Sequence, residues 1–157
     1  MSSVIIGVDP GLKGGLAMTR NGVPVKVWKM PVIKSGTKSI LNLHALNDIL
    51  AHCKSHADFD GCLVVLERVH AMPKQGVVSV FTFGEGYGTI KGMAVAHGLG
   101  LMEVRPTEWQ SALLQGIPKD LGKKRSIAYC LHRFSGLGTL SDGEADAICL
   151  GLYGSQR

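Results

Sequence analysis

Two six-residue runs, VIIGVD (4–9) and CLVVLE (62–67), are apolar almost throughout, and each ends on a carboxylate, Asp9 and Glu67. Runs this short and this rich in Val, Ile and Leu read as buried strands. Strand interiors are poor in Asp, and burying an unpaired charge is costly. Asp9-Pro10-Gly11 is also good turn chemistry, with Asp opening a β-turn and Pro-Gly fitting its two central positions. In α/β sheets, however, ligands bind beyond the carboxyl ends of the strands. If these two strands are parallel neighbours, Asp9 and Glu67 emerge side by side at one sheet edge. Like charges so placed repel, and a hard divalent cation between them reconciles the pair; Mg²⁺ prefers such oxygen ligands.

The flanking pattern places these strands in a mixed sheet. GLAMTR (15–20) returns from the first turn, and Asn21-Gly22 follows as the strongest short hairpin signal. VPVKVWKM (23–30) alternates, with Pro24 marking an edge strand. PVIKSGTKS (31–39) reads as an exposed loop. Leu43, Leu46, Ile49, Leu50 and Cys53 predict a helix over 41–54. Residues 70–77 read as a flexible loop. Residues 79–98 are rich in glycine, which lowers helix propensity by about 1 kcal/mol per residue relative to Ala. Their length and the spacing of Phe81, Gly84, Tyr87, Gly88 and Lys91 still predict a helix, one that packs very closely on a neighbour. LMEV (101–104) predicts a short strand. A T-x-x-Q capping box, Thr107 to Gln110, starts the next helix. KKRSIAYCLHRF (123–134) predicts another. A last helix begins at Ser141, with Ser141 and Glu144 as an S-x-x-E capping box. The order β-β-β-α-β-α-β-α-α-α predicts an α/β fold with helices on the faces of a mixed sheet. A length of 157 residues favours one domain.

The last helix supplies further acids. Asp142 and Asp146 are four residues apart and share a face. Glu144 points elsewhere and is occupied by its cap. Asp142 also suits the positive end of the helix dipole. Asp146, amid Ala145, Ala147, Ile148, Cys149 and Leu152, has no such structural role and wants a metal or a cation. Phosphodiester hydrolysis needs a cluster of this kind, because two metal ions roughly 4 Å apart activate a water and stabilise the leaving oxygen.

Charge and composition narrow the partners. The net charge is +5, which suits a polyanion. PKDLGKKR (118–125) concentrates Lys119, Lys123, Lys124 and Arg125, and RVHAMPKQG (68–76) adds Arg68 and Lys74. With 45% hydrophobic and 18% charged residues the chain is globular in composition and not disordered. No apolar run reaches the roughly 18 residues of a membrane span. The segment MSSVIIGVDPG has no basic stretch, and its apolar run is too short for a signal peptide, so a cytoplasmic location is expected. Cys53, Cys62, Cys130 and Cys149 are scattered, without zinc or disulfide spacing, and are expected buried and reduced.

Four motifs in order, GVDPG (7–11), VVLERV (64–69), RPTEW (105–109) and DGEADAICLG (142–151), resemble the RuvC-type Holliday-junction resolvases of the ribonuclease H-like superfamily. The resemblance spans nearly the whole chain. It implies an α/β fold with a five-stranded mixed sheet and helices on both faces. It also implies a homodimer, Mg²⁺ or Mn²⁺, and paired nicks in a four-way DNA junction. By position, Asp9, Glu67 and Asp146 match the family's metal-binding carboxylates. The family's remaining ligand position falls on Gly143 here, and Asp142, one residue earlier, is the substitute that keeps to the Asp146 face. Lys123 or Lys124 matches a basic residue near the scissile phosphate, and Lys124 is counted with the catalytic group. A second such Lys is absent, with Trp109 and Gln110 in its region. His70 stands near the place of an aromatic that stacks on an unpaired base. The DNA-binding set is therefore Arg68, His70, Lys74, Lys119, Lys123, Lys124 and Arg125. A junction-binding protein without cleavage, or a same-fold nuclease for other branched nucleic acids, is the alternative.

Overall fold

The computed structural model describes residues 3–58, 61–71 and 73–157. A five-stranded sheet runs in the order β3-β2-β1-β6-β7. β1 (Val4–Asp9), β2 (Gly15–Arg20) and β3 (Val23–Lys29) form an antiparallel meander, while β6 (Cys62–Glu67) and β7 (Gly100–Val104) continue from β1 in parallel. The β2–β3 turn has Asn21 at φ 52° and Gly22 at φ 71°, the left-handed pair that a type I′ hairpin demands. The described residues also form five α-helices: α1 (Leu43–Ser55), α2 (Val77–Ala96), α3 (Pro106–Leu113), α4 (Arg125–Arg133) and α5 (Asp142–Gly154). No described helix is long and apolar enough to cross a membrane.

Strand alternation divides the interior in two. Val4, Ile6, Val8, Val64 and Leu66 face Leu46, Leu50 and Cys53 of α1 and Ile90 and Ala94 of α2. Ile5, Ala17 and Val65 face the other way, onto Trp109 and Leu113 of α3, Cys130 of α4 and the apolar run of α5. Side chains in a strand switch faces at every residue. Asp9 and Glu67 therefore fall on the same face as Ile5 and Val65, the face that α5 covers. The register pairs Val8 with Leu66, so the two carboxylates are one step further along neighbouring parallel strands.

Two glycines let α5 reach that position. A Cβ at Gly7 would stand 1.9 Å from the Ala147 carbonyl oxygen, and one at Gly143 would stand 2.4 Å from Gly14 Cα. The helix thus lies directly on the backbone of β1 and of the turn after it. All four cysteines are buried and free; burial raises the Cys53 thiol to about 12 and the Cys62 thiol to about 11.

Three expectations need correction. Residues 31–39 are not a loop: β4 (Val32–Ser35) and β5 (Lys38–Leu41) make a separate exposed hairpin, turned through Gly36 at φ 60°. Val32, Ile33 and Ile40 are paired but exposed, so no alternating buried pattern marks these strands. The α3 helix begins at Pro106, so Thr107 is not its cap. Proline is preorganised for the first helical position, and the N3 residue is Glu108, whose Oε2 accepts the Arg105 backbone N–H at 2.8 Å. Finally, the glycines of α2 have no close neighbour: a Cβ at Gly84, Gly86, Gly88 or Gly92 would meet nothing within 4 Å. Val77 and Phe81 are 85% and 71% exposed on the same helix. At α5 the expected cap is present, with Ser141 Oγ and backbone N–H both donating to Glu144 Oε2 at 2.7 and 2.8 Å.

Candidate functional site

A cavity of about 730 Å³ opens where the carboxyl ends of β1 and β6 meet the first turns of α5. Asp9, Glu67, Asp142 and Asp146 all line it, together with Lys119 and Lys123. Three elements distant in sequence thus contribute acids to one cavity, because parallel strands end at one edge and α5 crosses it.

Asp9 serves the turn as well as the cavity: its Oδ1 accepts the Gly11 N–H at 3.4 Å. Asp9 thus takes part in the turn and also lines the cavity. Burial raises the Asp9 carboxyl above the usual range, opposed by the Gly11 amide and by the Lys123 charge. Burial raises Glu67 to about 7; the indole of Trp109 works against the shift, and the charges of Asp9 and Asp146 add to it. Burial likewise raises Asp146 to about 6, opposed by the Ser126 hydroxyl and Lys123 and reinforced by Asp9 and Asp142. The three carboxylates lie within reach of one another's fields, and each meets the cost of holding charge out of water.

Two neutral donors hold this group. Trp109 Nε1 donates to Glu67 Oε2 at 2.7 Å, and Ser126 Oγ donates to Asp146 Oδ1. Each bond engages one oxygen of its carboxylate. Sequence reasoning left both donors out. A buried indole N–H demands an acceptor, which was the available signal for Trp109 in RPTEW; nothing local distinguished Ser126.

The donor set suits a hard divalent ion. Its anionic side chains are carboxylates, and no His or Cys lines the cavity among the described residues, which matches the oxygen preference of Mg²⁺. No three acidic, His or Cys side chains among the described residues already converge as a finished metal-binding group. Burial raises Glu67 and Asp146, neighbouring carboxylate charges add to it, and a bound cation would offset both. Position 143 cannot share in this: its missing side chain would collide with the backbone of Lys13 and Gly14. Asp142, exposed at the first position of α5, lines the cavity.

The basic residues separate. Lys119 and Lys123 line the cavity, and Lys123 acts electrostatically on Asp9 and Asp146. Lys124 is exposed and outside the lining set. Arg125 lines the cavity, but its Nη2 donates to the Leu114 and Ile117 carbonyl oxygens at 2.8 and 3.3 Å, so it latches the end of α3. Arg68, His70 and Lys74 are exposed on the segment after β6 and are not brought to the cavity.

No protein-family model and no curated protein matches this sequence. The architecture does match: the five-stranded mixed sheet with its helices is similar to that of solved RuvC-type resolvase structures. Thermus thermophilus RuvC in complex with Holliday junction substrate superposes with a TM-score of 0.63, covering 96% of this chain and 90% of that one at 16% identity. A second Thermus thermophilus RuvC structure gives 0.54 over 95% and 91%, again at 16% identity. Likeness at this identity is a statement about fold.

Proposed function

We propose that this chain is a metal-dependent, structure-selective endonuclease that resolves four-way DNA junctions by paired phosphodiester hydrolysis, its 157 residues forming one nuclease domain. The observation that carries the reading is that Asp9, Glu67 and Asp146, from three elements, line one cavity beside Lys119 and Lys123. Asp9, Glu67, Asp142 and Asp146 would hold Mg²⁺, with Mn²⁺ able to substitute. Bound there, such ions polarise a phosphate and lower the pKa of an attacking water. The chain's own contribution is position and charge. Glu67 and Asp146 are oriented by Trp109 and Ser126. Lys123, beside the carboxylates, is the cation placed to meet the scissile phosphate, and Lys119 extends that contact. Lys124, Arg68, His70 and Lys74 lie further out, where they would steer and hold the DNA arms. Arg125 contributes through the α3 latch.

A homodimer completes the reading, since paired cuts need two sites. Its support is the α2 face. Val77, Val78 and Phe81 are exposed on a helix whose glycines stand open, and a second copy of the chain is the proposed cover.

One observation favours a second reading, a junction-binding protein without cleavage: the carboxylates do not yet form a finished metal group. Incubation of the protein with labelled four-way junction and Mg²⁺ or Mn²⁺, resolved strand by strand, separates the two. Paired symmetric nicks are expected. Asp9→Asn should lower cleavage by at least about 10²-fold, by analogy with the loss of one stabilising group in other active sites, while gel-shift binding persists. Uncut junction with every metal, together with intact binding, would establish the binder.

A further inference from the structure

We infer that Trp109 is a positioning residue for the proposed metal site: its indole N–H fixes the Glu67 carboxylate in the orientation from which that group meets a divalent cation. The inference rests on the nuclease reading above.

Trp109 is 1% exposed and heads the fully buried side chains by size. Its ring belongs to the apolar cluster formed with Val104, Leu113, Ile148 and Leu152, so the indole cannot swing to follow a moving partner. Its Nε1 is a donor only, and a buried donor left unpaired is costly. The acceptor it finds is Glu67 Oε2, 42 residues away in sequence, at 2.7 Å. A rigid ring therefore determines where one oxygen of a flexible side chain sits. The other oxygen is not engaged by this bond.

The chemistry of the donor matters as much as its position. A Lys or Arg in its place would neutralise Glu67 and compete with a metal for it. An indole N–H is uncharged, so it orients the carboxylate and leaves the negative charge for the cation. The Ser126 hydroxyl repeats the pattern at Asp146: Ser126 is 3% exposed and equally neutral. Partners that orient a metal-binding side chain are commonly worth 10–100-fold in metal affinity or activity.

The test measures Mn²⁺ on the free protein, by loss of the free-ion EPR signal. Trp109→Phe keeps most of the ring and removes the N–H. It should weaken Mn²⁺ binding by about 10–100-fold while gel-shift affinity for the junction stays within about twofold of wild type. Equal Mn²⁺ affinity in Trp109→Phe and wild type overturns the assignment. A second measurement does not need that variant to fold. The chain has two tryptophans, so Trp28→Phe leaves Trp109 as the sole indole. Its emission should be quenched saturably by Mn²⁺, with the same midpoint as the EPR titration. A flat emission across a titration that EPR shows to saturate also overturns the role. If wild-type protein binds no Mn²⁺ at all, the nuclease reading itself fails, and the role of Trp109 falls with it.

Discussion

At the scale of single residues, the acids of the cavity are poised against themselves. Glu67 is raised from 4.5 to about 7 and Asp146 from 3.8 to about 6, each chiefly by burial. A carboxyl whose pKa is higher in the folded chain binds protons more tightly there than in the unfolded chain. Its contribution to stability is complete below the unfolded value and is lost as pH rises through the folded value. Metal-free protein should therefore melt at a lower temperature as pH climbs from about 4.5 to about 7, and calorimetry across that range checks it. Adding Mg²⁺ at pH 8 should restore much of the loss, since a bound cation stabilises the ionised forms. A melting temperature that rises with pH through this window would contradict the burial of these groups.

At the scale of elements, the site depends on how closely α5 approaches the sheet. Gly143 faces the Gly14 backbone with no room for a methyl group. Gly143→Ala should cost about 1–3 kcal/mol, the usual range for overpacking a filled interior, read from urea denaturation. It should also depress cleavage more than the stability loss explains, because the first turn of α5 carries Asp142 into the cavity. This element also marks where sequence reading stopped. The i, i+4 spacing of Asp142 and Asp146 and the Ser141–Glu144 cap were legible, because both are local properties of a helix. That position 143 must be glycine was not, because the obstructing atoms belong to Lys13 and Gly14. The β4–β5 hairpin was missed for a similar reason: pairing without burial leaves little hydrophobic pattern to read. The start of α3 was misread because T-x-x-Q competed with a proline whose fixed φ suits the first helical position.

At the scale of the whole molecule, two surfaces carry the predictions. Phe81 is 71% exposed in this single chain. Phe81→Glu should shift the protein from dimer to monomer in light scattering, with little change in the monomer's melting temperature, because the side chain is not part of either core. A monomeric wild type would remove the proposed partner from the α2 face. The second surface is electrostatic. Junction affinity should fall steeply with salt, as phosphate counterions are displaced by Lys and Arg. Replacing Lys119 and Lys123 by Ala should reduce the slope of log K against log salt by about two, roughly one per phosphate contact. An unchanged slope would place the DNA elsewhere than over this cavity.

The amino-acid sequence by itself determined the five strands of the main sheet, the helices, the hairpin at Asn21-Gly22 and the acidic identity of the strand ends. These follow from near-neighbour periodicity and turn chemistry, which need no distant partner. Only the tertiary structure decided which cations reach the carboxylates, with Lys123 at the cavity, Lys124 outside it and Arg125 engaged by backbone. It also decided that Trp109 and Ser126 hold Glu67 and Asp146. Such contacts depend on where separate elements come to rest against one sheet, and a one-dimensional pattern carries no distance between residues 67 and 109.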